Sequence, residues 1–457
     1  MTSSERLVLK IVGISAGLLI VVGGFVIFQL PTETSSPQAQ NIDPGSDATH
    51  ASPDEMQYLI IVTSLEETIF ETSDSTIFSE LETNVLDLVN KVGARGDGKS
   101  RRLGFMILIP PWLVEKGAPG RIERVIREAF NVAKKHDVAV YFSLESHFIW
   151  DSRPDLWNWF DPRMAGYNEA NKQNVEWSDW EGTPNRSRFA LQLWGQTLKP
   201  HMCYNSPKIK SEITRIVSTL VAPSIKTGID YLRKEGKAYL FAGITLTSEL
   251  SLDNYESLDR VGTDFGKRLE STGIPKTMLG FCALTNLGYS KSHPPKNYPE
   301  ALAKINQEFS SYWAKQFVES GIDSSKLYSH VAAGADEPGS EMLKYTNAPI
   351  WTAIHPYSRP GWTTYPEGPL KKDFDAIYTE LAKNNIRHWG GVEASPWSLS
   401  GDVKIPPEKF LARHFNHGAT VLVMNAESSG APMVAGIWTK DAIKAYRKFL
   451  AGEELSE

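Results

Sequence analysis

Glu249 and Glu393 each follow a run of apolar and small residues, Tyr239–Thr247 for the first and Ile386–Val392 for the second. Such runs are typical of strands that are buried on both faces of a parallel sheet. Hydrolysis of a sugar linkage needs two carboxyl groups, one protonated to assist the leaving oxygen and one ionised to attack the anomeric carbon or activate water. The two glutamates are candidates for this pair if both strands end at one rim.

Other acids also follow predicted strands and compete for these roles. They are Glu145, Asp336, Glu337 and Glu427. Glu145 is the strongest alternative, because an error of one strand in the count would let Glu145 or Glu337 replace Glu249. Otherwise we expect Glu145 and the nearby His147 to line the substrate site.

The elements that must position these residues alternate along the chain. The predicted strands are Met56–Thr63, Leu103–Ile109, Val138–Leu144, Tyr239–Thr247, Leu327–Ala333, Ile350–His355, Ile386–Val392 and Ala419–Met424. Apolar spacings of three and four predict the helices, which are Ser79–Lys91, Ile122–Lys135, Ser211–Lys234, Tyr298–Ser320, Leu370–Asn384 and Pro407–Asn416. This alternation predicts an α/β fold, a (β/α)8 TIM barrel with a long insertion after strand 3. A doubly wound open sheet is the alternative, but no GxGxxG turn follows the first strand.

The predicted insertion, residues 146–206, carries six tryptophans among polar residues. Loops of this length in a compact domain are usually functional, so the insertion is predicted to wall a cleft at the carboxyl ends of the strands. A stabilising subdomain with a small core of its own is the alternative. Along the whole chain, the candidate aromatic platforms for a sugar are Trp112, Trp150, Trp362 and Trp397.

With this strand order, the chain resembles the clan of retaining (β/α)8-barrel glycoside hydrolases that includes cellulases, mannanases and β-galactosidases. That clan carries its acid/base at the end of strand four and its nucleophile at the end of strand seven. The resemblance implies that Glu249 is the acid/base and Glu393 the nucleophile of a β-glycosidase that needs no cofactor.

Two shorter patterns bear on the same resemblance. His355-Pro356-Tyr357 is similar to a His-x-Tyr pattern at the sixth strand of the cellulase-like branch. This implies that Tyr357 hydrogen-bonds Glu393 and that His355 lies near Glu249. The clan usually has an asparagine before its acid/base, whereas this chain has Ser248 there, which we expect to contact substrate.

Composition and motifs weigh against other classes of function. The net charge of −6 does not favour nucleic-acid binding. No GxSxG motif lies within the predicted barrel, and no HxH or HExxH motif is present in the chain. A metal-dependent hydrolase is an alternative, with donors drawn from His147, His330, His355, Glu145 and Asp336. A non-catalytic glycan-binding or cell-envelope protein on a degenerate barrel is another, and Ser248 is the feature that favours it.

The N-terminal segment differs from the rest. Ile11–Leu30 contains no charged residue and is long enough to cross a bilayer, and Arg6 and Lys10 precede it. These features predict a cytoplasmic tail (1–10), a transmembrane signal-anchor (11–30), a flexible linker (31–55) and an extracytoplasmic catalytic barrel (56–457). A cleaved signal peptide is the alternative. The two cysteines, Cys203 and Cys282, form either one disulfide or two buried thiols.

Overall fold

A computed structural model describes residues 55–62, 73–115, 120–144, 150–190, 196–258, 263–332, 341–366, 371–398, 401–426 and 432–457. The strands in these ranges are β1 (Gln57–Val62), β2 (Arg101–Ile109), β3 (Ala139–Leu144), β4 (Arg188–Ala190), β5 (Gln196–Leu198), β6 (Phe241–Thr245), β7 (Leu327–Tyr328), β8 (Val331–Ala332), β9 (Gly361–Thr364), β10 (Trp389–Ala394) and β11 (Ala419–Met424). All except β4 and β5 belong to one parallel sheet, in the order β7-β6-β3-β2-β1-β11-β10-β9-β8.

The two end strands of this sheet are halves of one segment. β7 pairs with β6 and β8 pairs with β9, and only Ser329 and His330 separate β7 from β8 along the chain. The sheet therefore curls until its two edges meet at residues 327–332. This gives a TIM-like α/β fold with eight strand positions, in which β6, β7/β8, β9, β10 and β11 take positions four to eight.

Helices follow the strands and cover the outside of the sheet. The α-helices are α1 (Asp74–Val92), α2 (Arg121–His136), α3 (Pro154–Trp157), α4 (Pro207–Ile216), α5 (Ala222–Lys234), α6 (Thr263–Thr272), α7 (Phe281–Asn286), α8 (Tyr298–Glu319), α9 (Glu341–Thr346), α10 (Lys371–Lys383), α11 (Pro407–Phe415), α12 (Pro432–Ile437) and α13 (Lys440–Leu450). Short 3-10 helices are Pro111–Leu113, Trp150–Ser152, Glu169–Asn174, Ala238–Leu240, Tyr255–Ser257, Ser324–Lys326 and Ile350–Ala353.

Local sequence explains several helix ends. Gly236, Gly321 and Gly418 all have a positive φ just after a helix, which is the left-handed conformation that glycine adopts most readily at this place. Between α4 and α5 the chain makes a π-helical turn, Val217–Val221. Pro223 lies two residues after this turn, and because proline has no N–H group it cannot continue the regular ladder.

Two apolar layers hold the barrel together. Inside the sheet, the side chains of Tyr58, Ile60, Val423 and their neighbours form a packed core that fills the barrel axis. Between the sheet and the helices lies a larger core. Successive residues of a strand point to opposite sides, so each strand contributes to both layers.

The insertion after the third strand packs inward. It contains the antiparallel hairpin of β4 and β5, and the rings of Trp157 and Trp177 are buried in the outer core. The buried carboxyl group of Glu176 accepts the backbone N–H groups of Gly280 and Cys282, both at 3.1 Å, which joins the insertion to α7. This packing favours the stabilising subdomain over an aromatic cleft wall. Cys203 and Cys282 are buried free thiols.

The predicted sixth strand is wrong. Ile350–Ala353 forms a 3-10 helix, and the strand at this position is Gly361–Thr364. A Cβ atom at Gly361 would lie 2.2 Å from the carbonyl oxygen of Ser329, so only glycine allows this close approach of the two segments. The other seven predicted strands each overlap an observed strand.

The predicted membrane anchoring is also corrected. Within the ranges that the structure describes, no helix is both long and apolar enough to cross a bilayer. Residues 11–30, on which the prediction rested, lie outside those ranges, as do the tail and most of the linker. The structure therefore gives the predicted membrane-anchored location no support.

Candidate active site

Glu249 lies four residues beyond the end of β6, in a strained conformation. Its φ of 33° is in the left-handed region, which is uncommon for residues other than glycine, and residues strained in this way cluster at functional sites. Thr363 of β9 donates a hydrogen bond of 2.6 Å to its Oε1 atom. Burial of the carboxyl group and the negative charge of Glu393 raise the pKa of Glu249 to about 7, although the hydrogen bond from Thr363 acts in the opposite direction.

Glu393 lies in β10, the seventh strand position, and accepts more hydrogen bonds than Glu249 does. The hydroxyl group of Tyr365 donates to Oε1 at 2.6 Å, and the amide of Asn425 donates to the same oxygen at 3.2 Å. The pairing of β10 with β9 shifts register between Gly391 and Glu393. A bulge at this point turns the glutamate side chain toward the site.

His330 completes the cluster from the break between β7 and β8. Its Nε2 atom lies 2.8 Å from Oγ1 of Thr363 and 3.6 Å from Oε2 of Glu393. Burial lowers the pKa of His330, while the charge of Glu393 and a hydrogen bond to the backbone of Thr247 act against this shift. The ring therefore enters the site as a neutral imidazole.

The two carboxyl groups and this imidazole are close together. One nitrogen of His330 and one oxygen each of Glu249 and Glu393 all lie within 4.8 Å of one another. No other three or more His, Cys, Asp and Glu residues lie close enough to share an ion in the part of the chain described by the structure. Here, however, one carboxylate oxygen of each glutamate already accepts a hydrogen bond from the protein. Nε2 of His330 lies next to the hydroxyl group of Thr363. The cluster is better suited to proton transfer than to holding a metal, and we assign no metal to it.

Tyr357 and His355 lie elsewhere. The tyrosine that contacts Glu393 is Tyr365, because the sixth strand ends at Thr364 rather than at His355. His355 binds Oγ of Ser329 through Nε2, at 2.7 Å. Ser329 and His330 are adjacent in the fifth strand position and face opposite sides of the sheet, so His355 lies behind the sheet and away from Glu249.

Three of the four predicted sugar platforms are buried. Trp112, Trp150 and Trp362 are 3%, 1% and 0% exposed and pack into the outer core, so none of them can receive a sugar ring. The physical reason for Trp112 and Trp150 is that a tryptophan in a loop after a strand can fold back under the helices as readily as it can face solvent. Trp362 instead lies in β9 and belongs to the core between the sheet and the helices. Trp397 is half-buried, with Lys404 over its ring at 3.9 Å from the centroid.

Several predicted site residues lie outside the described ranges. They are Glu145, His147, Asp336, Glu337 and Glu427. Ser248 is described, and it lies half-buried directly before Glu249. Its predicted contact with substrate stays a prediction.

Sequence reasoning missed Thr363, Tyr365 and Asn425 as site residues, and it considered His330 only as a metal donor. A signal for the first two was present. The stretch Gly361–Tyr365 is rich in β-branched and aromatic residues and is bounded by Pro360 and Pro366, which is typical of a short strand. The apolar run that begins at Ile350 was predicted as the sixth strand instead.

Comparison with solved structures matches the chain to several glycoside hydrolases at low identity. No protein-family model and no curated protein matches the chain. Among solved structures, the PgaB (BpsB) glycoside hydrolase domain from Bordetella bronchiseptica is 11% identical with a TM-score of 0.46, over 88% of this chain and 100% of that one. The GH26 endo-β-1,4-mannanase catalytic domain from Bacillus sp. JAMB-750 is 9% identical with a TM-score of 0.41, over 88% of this chain. The match to the β-glycosidase BGL167 covers 89% of this chain.

The mannanase domain is matched over 87% of its own length. BGL167 is matched over 98% of its length, at 9% identity and a TM-score of 0.42. All of these proteins are glycosidases by name, as are the members of the clan that the sequence resembles. At identities this low, the chemistry of this chain must be argued from its own residues.

Proposed function

We propose that the chain is a glycoside hydrolase that cleaves β-linked oligo- or polysaccharide with retention of configuration. Residues 56–457 form its catalytic domain in this proposal. Glu393 is the nucleophile and Glu249 is the acid/base. The substrate is a carbohydrate, and the two glutamates need no cofactor for this reaction.

In the first step, an oxygen of Glu393 attacks the anomeric carbon while the carboxyl proton of Glu249 passes to the leaving oxygen. The bond from carbon to the leaving oxygen breaks, and a glycosyl ester forms on Glu393. Oε1 of Glu393 already accepts two hydrogen bonds, from Tyr365 and Asn425. Oε2 is therefore the oxygen that is left for the attack.

In the second step, Glu249 is ionised and removes a proton from water. The water oxygen attacks the anomeric carbon, the ester bond to Glu393 breaks, and Glu249 regains its proton. Two inversions at one carbon give net retention.

The single observation that carries this proposal is the unequal surroundings of two neighbouring carboxyl groups. Glu249 is kept protonated up to about pH 7 by burial and by the charge of Glu393, as its raised pKa indicates. Glu393 instead accepts two hydrogen bonds on one oxygen, from Tyr365 and Asn425. Two acids in such different surroundings are suited to the two roles. Their oxygens lie within 4.8 Å of each other, which suits the close spacing of a retaining pair rather than the wider spacing of an inverting one.

Covalent trapping tests the nucleophile directly. The protein is incubated with activated 2-deoxy-2-fluoro-β-glycosides of glucose, mannose, galactose and xylose, and its peptides are analysed by mass spectrometry. We expect one fluorosugar on the peptide that contains Glu393, and none in the Glu393→Gln variant. Glu300→Gln is the matched control, because Glu300 is exposed on α8, where it pairs with Lys304 and with its own helix cap.

Azide separates the two roles. In Glu249→Ala, azide should restore turnover of an aryl β-glycoside and give a β-glycosyl azide, because the nucleophile is intact. In Glu393→Ala, the product should be the α-glycosyl azide. Wild-type hydrolysis rates in Glu393→Gln would contradict the assignment, and binding of polysaccharides with no turnover of any substrate would favour the non-catalytic glycan-binding alternative.

A further inference from the structure

We infer that His330 and Thr363 are positioning residues that direct the acid proton of Glu249 to its Oε2 atom. This inference rests on the proposed function for its catalytic meaning. It concerns a chain of hydrogen bonds that joins the two carboxyl groups through an imidazole and a hydroxyl group.

The argument begins with the single hydrogen of the Thr363 hydroxyl group. Its oxygen lies 2.6 Å from Oε1 of Glu249 and 2.8 Å from Nε2 of His330. Thr363 and His330 are both buried. A hydroxyl group has one hydrogen to donate, so it can donate to only one of these two neighbours and must accept from the other.

Two arrangements satisfy both hydrogen bonds. If Nε2 of His330 carries a hydrogen, it donates to Thr363, and Thr363 donates to Oε1 of Glu249. Oε1 then has no proton, and the acid proton of Glu249 is on Oε2. If Nε2 has no hydrogen, Thr363 donates to it, and Oε1 of Glu249 must carry the proton and donate to Thr363. The tautomer of His330 therefore decides which oxygen of Glu249 holds the acid proton.

The charge of Glu393 selects between these arrangements. Its Oε2 atom lies 3.6 Å from Nε2 of His330. An N–H group pointing toward an ionised carboxylate is attracted, whereas a bare nitrogen lone pair is repelled. The backbone of Thr247 is the other hydrogen-bond partner near the ring. The ionised nucleophile thus favours hydrogen on Nε2, and with it the proton on Oε2 of Glu249.

The consequence for the reaction is geometric. Oε1 of Glu249 is held by Thr363 and cannot deliver a proton elsewhere, so Oε2 is the oxygen available to the leaving group. When Glu393 becomes an ester in the first step, its negative charge disappears and the preference weakens. Glu249 is ionised at that stage, so the hydrogen bond from Thr363 stabilises the base. The titratable groups that face Glu249 among the described residues are Glu393, His330 and Tyr365.

Nuclear magnetic resonance can read the tautomer without any substrate. Long-range correlations between ring protons and nitrogens are recorded on uniformly ¹⁵N-labelled protein near pH 7.5, and the His330 signals are identified by their loss in His330→Gln. We expect a neutral ring with its hydrogen on Nε2. A ring with hydrogen on Nδ1 only, or a doubly protonated ring, would overturn the inference while leaving the trapping result on Glu393 untouched.

Kinetics on two pairs of variants provide the second test. Thr363→Val removes the hydroxyl group and should lower kcat about tenfold or more, whereas Thr363→Ser restores it. His330→Gln keeps an N–H donor near the position of Nε2 and should stay much closer to wild type than His330→Leu, with an unchanged pH profile. If His330→Gln and His330→Leu lose kcat equally, the ring does not act as a neutral donor. Thermal unfolding of all four variants separates a loss of fold from a loss of positioning.

Discussion

The two ends of the barrel treat their acids differently. At the amino ends of the strands, two acids pair with arginines. Glu55, just before β1, pairs with Arg359 and with His388 at 2.9 Å. Asp137, just before β3, pairs with Arg102 at 2.8 Å. Burial alone would raise the pKa of Asp137, but the hydrogen bond from Tyr239 and the charge of Arg102 lower it below its ordinary value.

At the carboxyl ends the arrangement is reversed. Glu249 and Glu393 face each other, and in the part of the chain that the structure describes neither one forms an ion pair with a lysine or an arginine. Their partners are the hydroxyl groups of Thr363 and Tyr365, the amide of Asn425 and a neutral imidazole. Two like charges in a buried site cost stability, so this pair is explained by chemistry rather than by stability.

This difference agrees with the general pattern in such barrels, in which the active site lies at the carboxyl ends of the strands and residues at the amino ends stabilise the fold. It also gives each end a distinct expected response to mutation. Variants at the carboxyl end should lower the rate of hydrolysis and leave the protein at least as stable as wild type. Variants at the amino end should lower the free energy of unfolding and leave the rate of hydrolysis at the wild-type value.

The largest effect is expected from Glu393→Gln. Loss of the nucleophile should reduce kcat on an aryl β-glycoside on the order of 10⁴-fold or more. Since the variant also removes one of two neighbouring like charges, its thermal unfolding temperature should be no lower than that of wild type. Steady-state kinetics and calorimetry measure the two quantities, and an unfolding temperature well below wild type would contradict the contrast between the two ends.

The next effect concerns pH and stability. Glu249 has a folded pKa of about 7 against an ordinary value of 4.5, so between these pH values the folded protein holds a proton that the unfolded chain has lost. Raising the pH through this range therefore destabilises the fold, by up to about 3 kcal/mol in total. Urea unfolding at pH 5 and pH 8 should show that Glu249→Gln loses less stability over this interval than wild type. An equal loss in both proteins would rule out the raised pKa, and Glu300→Gln serves as the control.

A smaller effect is expected from Tyr365→Phe. This variant removes the 2.6 Å hydrogen bond to Oε1 of Glu393 and should lower kcat/KM about 10- to 100-fold, the usual value for a hydrogen bond to a charged group. Tyr357→Phe is the matched control, because Tyr357 packs against the outer core and does not contact Glu393. If Tyr357→Phe were the more damaging of the two, our placement of the sixth strand would be wrong.

The smallest effect is expected at the amino end. Glu55→Gln leaves Arg359 and His388 without their charged partner and should lower the free energy of unfolding by about 1–2 kcal/mol, since the site is only partly buried. Hydrolysis rates should be unchanged. A loss of kcat without a loss of stability would show that the amino end takes part in the reaction.

Much of this fold follows from the order of residues alone. Seven of the eight strand positions are visible as apolar runs, and Gly236, Gly321 and Gly418 mark helix ends, because hydrophobic periodicity and the left-handed conformation of glycine are local properties. The placement of Glu249 and Glu393 near the carboxyl ends of their strands is local in the same sense. The sequence could therefore nominate the two acids.

The sixth strand shows where local information ends. An apolar run at Ile350 can be buried in a 3-10 helix as well as in a strand, and both choices remove it from water. Gly361 is needed because a carbonyl group of Ser329 approaches it, and these residues are 32 positions apart in the chain. The burial of Trp112, Trp150 and Trp362 was likewise set by packing rather than by residue type.

What the sequence by itself determined is a parallel α/β alternation with a glutamate after the fourth strand and another in the seventh. What only the tertiary structure decided is the set of partners that makes these acids unequal. Thr363 meets Glu249 across 114 positions and His330 across 33. The physical reason is that a hydrogen bond depends on distances of about 3 Å between side chains, and residues far apart in the chain come within that distance only when the barrel closes.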